Sequence, residues 1–188
     1  MLFEIPELEQ HVWLSAFEAK PKSIDHILQG ALGQFPEVCI QLVDLDRVPG
    51  SRYLFLATYN ALKSYRSKQP ISKSLAMEVL LFISGNRQIN EALKQVGVTS
   101  DTSRTGALAI GNSKDQVMKA GTFVTEAIGG RNMDNLLDHW TSLRIENVRS
   151  GFGIADKEIR AIIRKKEPVA SAIERLAVER SAMLAVRK

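Results

Sequence analysis

The chain has 188 residues, 45% of them hydrophobic and 24% charged, which suits one globular domain with a real core, so 1–188 is expected to form a single domain. A surplus of 25 basic over 21 acidic side chains gives a net charge of +4 and a pI near 9.3, a tilt toward a polyanionic partner that does not demand one. Residues 1–7 lack a basic region followed by an apolar stretch, no run of about 18 uncharged apolar residues occurs, and the lone Cys39 offers neither a disulfide framework nor metal-ligand spacing; we expect no leader, no membrane span and a reducing, cytoplasmic setting.

Residues 12–17 are short, aromatic and bounded by Lys20-Pro21, which predicts a strand ending in a turn. Ser23 opens a helix whose apolar positions Ile24, Ile27, Leu28, Ala31 and Leu32 recur at helical spacing, and Gly33 with Pro36 closes it. Residues 38–43 are apolar on both alternations except Gln41, the pattern of a strand covered on both faces; this is the expected central strand, with Cys39 a small buried hydrophobe inside it. After the Pro49-Gly50 turn, residues 53–66 predict a helix with Lys63 and Arg66 on its outer face. Pro70 breaks the chain, Ser72 or Ser74 caps a new start, and residues 75–83 are apolar nearly all round, which predicts a buried helix.

Ser84-Gly85-Asn86 interrupts that helix, and residues 87–96 predict a short one ended by Gly97. Residues 105–110 read as a further strand, and Ser113-Lys114-Asp115-Gln116 as a capping box for a helix that stops at Gly129-Gly130. Segments 134–147, 156–166 and 169–187 are helical in character, separated by the Gly151/Gly153 stretch and by Pro168. The sum is a mixed α/β fold, a small central sheet of three to five strands covered by helices, with a helical C-terminal part.

Catalytic chemistry is thinly supplied. His11, His26 and His139 are far apart in sequence and none has a second ligand at metal-binding spacing, so each is expected to be superficial or structural, with no metal and no cofactor. No Walker loop, dinucleotide fingerprint or nucleophile elbow is present, and Gly129-Gly130 follows a helix rather than a strand. Glu78 is the one unusual carboxylate because it sits inside the apolar helix; burial would suit a general base, but no nucleophile accompanies it, and such a residue ordinarily faces a polar edge or pairs with an Arg.

Positive charge is more informative. Lys63, Arg66, Lys68 and Lys73 fall in one stretch without an acidic residue, and Tyr59 and Tyr65 stand nearby; cations on a helix end and loop neutralise phosphates while aromatic rings stack exposed bases, although a solvated basic face has the same composition. Arg87 and Gln88 follow the Ser84-Gly85-Asn86 turn, where free backbone N–H groups at a helix start make a local site for an anion or a base edge, or else an ordinary capped turn.

The order of these features is distinctive: a basic helix end, Lys68-Gln69-Pro70-Ile71, then Met77-Glu78-Val79-Leu80-Leu81, Ser84-Gly85, Arg87-Gln88-Ile89, Glu91-Ala92 and Gly97. In these residues the chain resembles the small accessory subunit of the KEOPS complex, the family that includes the eukaryotic PRPK-binding proteins, and looks most like archaeal members. The resemblance is strongest over 59–98 and extends more loosely through the strand near Leu108 and the Gly129-Gly130 helix end to a terminal amphipathic helix; 131–166 is longer than in the shortest relatives, and nothing is carried over to it. It implies a non-catalytic protein that binds the atypical kinase or ATPase subunit of that complex and holds the single-stranded CCA end of tRNA during threonylcarbamoyl modification of adenosine. The nucleic-acid contacts expected are Lys63, Arg66, Lys68, Lys73, Arg87 and Gln88. For the kinase subunit, the C-terminal stripe of Val169, Ile173, Leu176, Met183 and Leu184, with Arg180 in its middle, is the candidate surface, the alternative being that the stripe packs on the protein's own core. A kinase regulator that touches no RNA, and a small nucleotide-using enzyme built around Glu78, remain the competing readings.

Overall fold

The computed structural model describes residues 1–19, 21, 23–67, 69–129 and 131–186. In chain order the elements are β1 (Leu2–Ile5), β2 (Gln10–Phe17), α1 (Ile24–Gln34), β3 (Cys39–Asp44), α2 (Ser51–Tyr65), α3 (Leu75–Ser84), α4 (Ile89–Val96), β4 (Thr105–Gly111), α5 (Lys114–Ile128), α6 (Ser142–Gly151), α7 (Asp156–Ile162) and α8 (Val169–Met183). The mixed α/β class with a small sheet and a helical C-terminal part is what the patterning predicts. The chain divides into two compact units, one formed by Met1–Leu45 and Gly97–Leu137, the other by Asp46–Val96 and the chain from Asp138 onward.

The first unit carries the sheet, four antiparallel strands in the order β1-β2-β4-β3. Here the central-strand expectation is corrected: residues 39–44 pair only with β4 and lie at an edge, while Thr105–Gly111 is bonded on both sides. Burial on both faces reports what covers a strand, whereas centrality depends on backbone N–H and C=O groups that no side-chain pattern registers. The short β1 strand, which the patterning did not single out, pairs Leu2 with Trp13 and Ile5 with Gln10.

One face of the sheet forms the core of this unit. Trp13 and Phe17 of β2, Ala107 and Ala109 of β4 and Ile40 and Leu42 of β3 share it, covered by Ile27 and Ala31 of α1 and Val117, Ala120, Val124 and Ile128 of α5. Ser23 and Ser113 accept the backbone N–H groups of His26 and Gln116, so the predicted helix starts are real caps. Leu32 is 63% exposed and lies off the buried stripe of α1. Cys39 is half-buried, and loss of solvent pushes its thiol up to about 12, far from a reactive thiolate.

The second unit is helical and built around α3. From Glu78 to Ser84 every residue of this helix is buried. A helix end without water must find partners for its last carbonyls, and two neighbours supply them: Tyr53 of α2 donates its hydroxyl to Ile83 O at 2.7 Å, and Ser181 of α8 donates to Phe82 O at 2.8 Å. Burial raises the Tyr53 hydroxyl far above its ordinary pKa, so it stays a donor. The start of α2 is capped from a distance, because Gly50 has no side chain and Asp138 accepts the Ser51 N–H at 2.8 Å.

Boundaries shift in the C-terminal half. Residues 134–138 form a 3-10 turn, and α6 begins only after Thr141, whose hydroxyl accepts the Arg144 N–H at 3.1 Å; it then runs through Gly151, which the patterning treats as a break. Arg144 itself is fully buried, donating to Val48 O at 2.8 Å and His139 O at 3.0 Å and lying over the Trp140 ring. α7 ends at Ile162, short of the expected 166.

A close approach in the first unit makes a test of its core. A Cβ built on Gly121 of α5 would lie 2.7 Å from two ring atoms of Trp13 near the root of its side chain. Gly121→Ala gains up to ~1 kcal/mol of helix propensity but overpacks by ~1–3 kcal/mol, so a net loss of up to ~2 kcal/mol is expected as a lowered denaturant midpoint with unchanged m-value.

Candidate functional site

The basic segment lies where α2 ends and the chain turns into α3, within the second unit. Lys63 sits in the last turn of α2 with its Nζ 5.4 Å from the centre of the Tyr59 ring. Arg66 is the C-cap residue, its N–H bonded to Leu62 O at 3.1 Å, and its side chain is exposed, as is that of Lys73. Lys68 lies outside the described residues. Tyr65 donates its hydroxyl to Lys73 O at 3.1 Å, which ties the helix end to the far side of the turn. Lys63, Arg66 and Lys73 therefore gather at one end of α3, beside half-buried Tyr59 and Tyr65.

Beneath this turn sits Glu78, 0% exposed. Its Oε1 accepts the Ser64 hydroxyl at 2.5 Å and the Ile71 N–H at 3.2 Å, and its Oε2 accepts the Ser72 N–H at 2.6 Å. The expectation of a polar edge or an Arg partner is corrected: the carboxylate is wholly enclosed, and a hydroxyl and two backbone donors satisfy it.

Arg87 and Gln88 stand elsewhere. Ten-residue α3 separates them from Lys73, and at 1.5 Å per residue that is ~15 Å. Gly85 takes a left-handed φ of 69° and ends α3, with its own N–H on Phe82 O at 3.3 Å and the Asn86 N–H on Leu81 O at 3.2 Å. Arg87 is exposed and reaches Leu184 O at 3.5 Å, while Gln88 is exposed and its carbonyl receives the Ala92 N–H at the start of α4. The described cations named from sequence thus divide, Lys63, Arg66 and Lys73 at one end of a buried helix and Arg87 at the other.

The α8 stripe divides as well. Ile173, Leu176 and Leu184 are buried and pack inside the unit, which corrects their reading as a docking surface; Val169 and Met183 remain 43% and 39% exposed. Arg180 is neither free nor central to a bare stripe: it donates to Glu158 at 2.7 Å, joining α8 to α7. A cleft of about 560 Å³ opens beside it, lined in part by Gly85, Asn86, Phe152, Arg180 and Met183.

Residues 21–185 match the family described as kinase binding protein CGI-121. The chain belongs to the CGI-121 family. Among curated proteins it is similar to the EKC/KEOPS complex subunit CGI121 of Yarrowia lipolytica, with 24% identity over 119 residues covering 63% of this chain and 70% of the relative. It is also similar to the regulatory protein Cgi121 of Methanocaldococcus jannaschii, with 29% identity over 98 residues covering 52% of this chain and 59% of that protein. The family match takes in α2, α3, α4 and α8, and with them the basic segment, Arg87 and the α8 stripe.

Among the described residues no group of three or more His, Cys, Asp or Glu side chains could hold a metal ion, and no helix is long and apolar enough to cross a membrane. His11 places Nδ1 3.2 Å from Asn112 O, and His139 offers its carbonyl to Arg144. Sequence reasoning missed the fixed partners of Glu78 and the Arg–Glu pairs along α8. A signal existed for the first, since Ser72 and Ser64 flank a carboxylate in an otherwise apolar helix.

The second of those pairs gives a pH-dependent test in this CGI-121 family member. Arg175 grips Glu167 with two N–H groups, and the Arg164 N–H adds a third donor at 2.9 Å. These bonds, the Arg175 contact foremost, hold the Glu167 carboxyl down to about 2 from its ordinary 4.5. With a folded pKa below the unfolded one, the stabilisation is complete above about pH 4.5 and is lost as pH falls toward about 2. The thermal midpoint should drop across that window, and Glu167→Gln should flatten the drop relative to the unsubstituted chain.

Proposed function

We propose that this chain is a non-catalytic accessory subunit of a KEOPS complex, supporting threonylcarbamoyladenosine modification of tRNA by binding the atypical kinase or ATPase subunit and the 3′ CCA end of tRNA. It works in the cytoplasm, without a metal or cofactor of its own. Family membership and the name of the yeast relative support the complex and the kinase. The observation that carries the RNA side is the gathering of Lys63, Arg66 and Lys73 beside Tyr59 and Tyr65 at one end of α3. Cations there neutralise backbone phosphates and the rings offer faces to unstacked bases, which is how single-stranded ends are held. The hydroxyl of Tyr65 is already fixed on Lys73 O, so less conformational freedom is lost on binding.

Electrophoretic shifts with intact tRNA and with tRNA lacking its CCA end test this directly. Intact tRNA should bind more tightly, and Arg66→Glu/Lys73→Glu should weaken binding and reduce the slope of log K against log salt by about 1.4, ~0.7 for each lost single-strand phosphate contact. Equal binding of the two tRNAs would remove the CCA end as the target. No binding at all would favour the second reading, a kinase regulator without RNA contact, which the archaeal relative's name as a regulatory protein supports.

On the kinase side, the residues of the predicted α8 stripe that remain at the surface are Val169, Met183 and the partly exposed Arg180. A partly exposed ion pair contributes at most ~1 kcal/mol, so Arg180→Ala should leave the thermal midpoint of the isolated protein nearly unchanged while weakening co-purification with the kinase subunit. A clear loss of stability with normal co-purification would assign Arg180 to the α7–α8 packing alone.

A further inference from the structure

We propose that Glu78 is the positioning residue of the basic segment: its buried carboxylate holds the turn at Ile71 and Ser72 in the shape that presents Arg66 and Lys73 to an anionic strand. The proposal rests on the RNA reading above for its consequence, but its geometry stands by itself. Both oxygens are used, one on Ser64 of α2 and Ile71, the other on Ser72, so a single side chain joins the helix before the segment to two successive N–H groups within it.

Among the described residues, the other contacts of the turn are more local. The Gln69 N–H reaches the Ser67 hydroxyl at 3.3 Å and the Ser74 N–H reaches the Ser72 hydroxyl at 3.2 Å, contacts spanning two residues each. The Tyr65 hydroxyl on Lys73 O fixes one end of the segment only. A buried carboxylate is costly unless satisfied, and bonds to an ionised acceptor are about twice as strong as neutral ones, so the enclosed charge draws the two N–H groups inward and holds them there. The same negative charge lies close to the turn that carries Arg66 and Lys73, and lessens their mutual repulsion.

Glu78→Gln keeps the size of the side chain, removes its charge and turns a donor toward one of the donors it now receives. Glu78 would act on binding through the segment's order and not by touching RNA, so the expected pattern differs from that of a lost phosphate contact. Amide exchange at Ile71 and Ser72 should accelerate about tenfold or more, and tRNA affinity should fall by a similar factor, the scale of one bond to a charged group. The salt slope should stay at its unsubstituted value because every cation remains, whereas Arg66→Glu/Lys73→Glu lowers it.

Should Glu78→Gln fail to fold, Ser64→Ala removes one donor and places a good helix former in α2, and the same pattern is expected at smaller amplitude. A folded variant with unsubstituted exchange rates at Ile71 and Ser72, or with accelerated exchange and unchanged tRNA affinity, overturns the proposal. If the unsubstituted chain shifts no tRNA, the RNA reading fails first. Exchange confined to 67–74 then still decides whether Glu78 shapes the segment, and unchanged exchange refutes that too.

Discussion

A helix that is apolar on every side cannot rest against one neighbour, and the burial of α3 is the constraint from which the second unit follows. Its side chains from Val79 to Ile83 are removed from water all round, so α2, α4 and α8 must surround it. Enclosure creates a second demand, because the helix's backbone ends also lose water. Tyr53 and Ser181 answer it at one end with hydroxyls on Phe82 O and Ile83 O, and those two bonds join α2 and α8 through the helix they both cover. Apolar transfer drives the arrangement, and the few polar contacts select one register among many greasy ones.

The same enclosure explains why the basic residues flanking α3 stand at its two ends. Along its length α3 offers nothing polar to solvent, so cations can stand only where the chain enters and leaves it. Lys63, Arg66 and Lys73 do so at the entrance, and Arg87 at the exit, about one helix length away by the ~15 Å rise of ten residues. Glu78 lies at the boundary between these regimes. It occupies the first helical turns, where the macrodipole favours a negative charge, and it faces the segment that bears the cations.

The α8 helix shows how an amphipathic stripe is shared between a fold and a surface. Ile173, Leu176 and Leu184 close the unit, while Val169, Met183 and the Arg180–Glu158 pair remain at its border. Two Arg–Glu contacts, at Arg175 and Arg180, lay the stretch from Glu158 to Glu167 along α8.

Local chemistry was legible in the sequence. Ser23 and Ser113 as caps, Gly129 as a helix end, the interruption at Ser84-Gly85-Asn86, the fully apolar α3 and the small mixed sheet all follow from periods and punctuation that act within a few residues. The basic, aromatic-flanked stretch was visible for the same reason, being contiguous. What only the tertiary structure decided were relations between distant residues: that β4 and not β3 is bonded on both sides, that Glu78 closes on Ser64, Ile71 and Ser72, that Asp138 caps α2, and that Arg87 stands a helix length from Lys73. A hydrophobic pattern tells which faces avoid water, but a hydrogen bond needs a named partner at about 3 Å, and chain packing, not composition, chooses that partner.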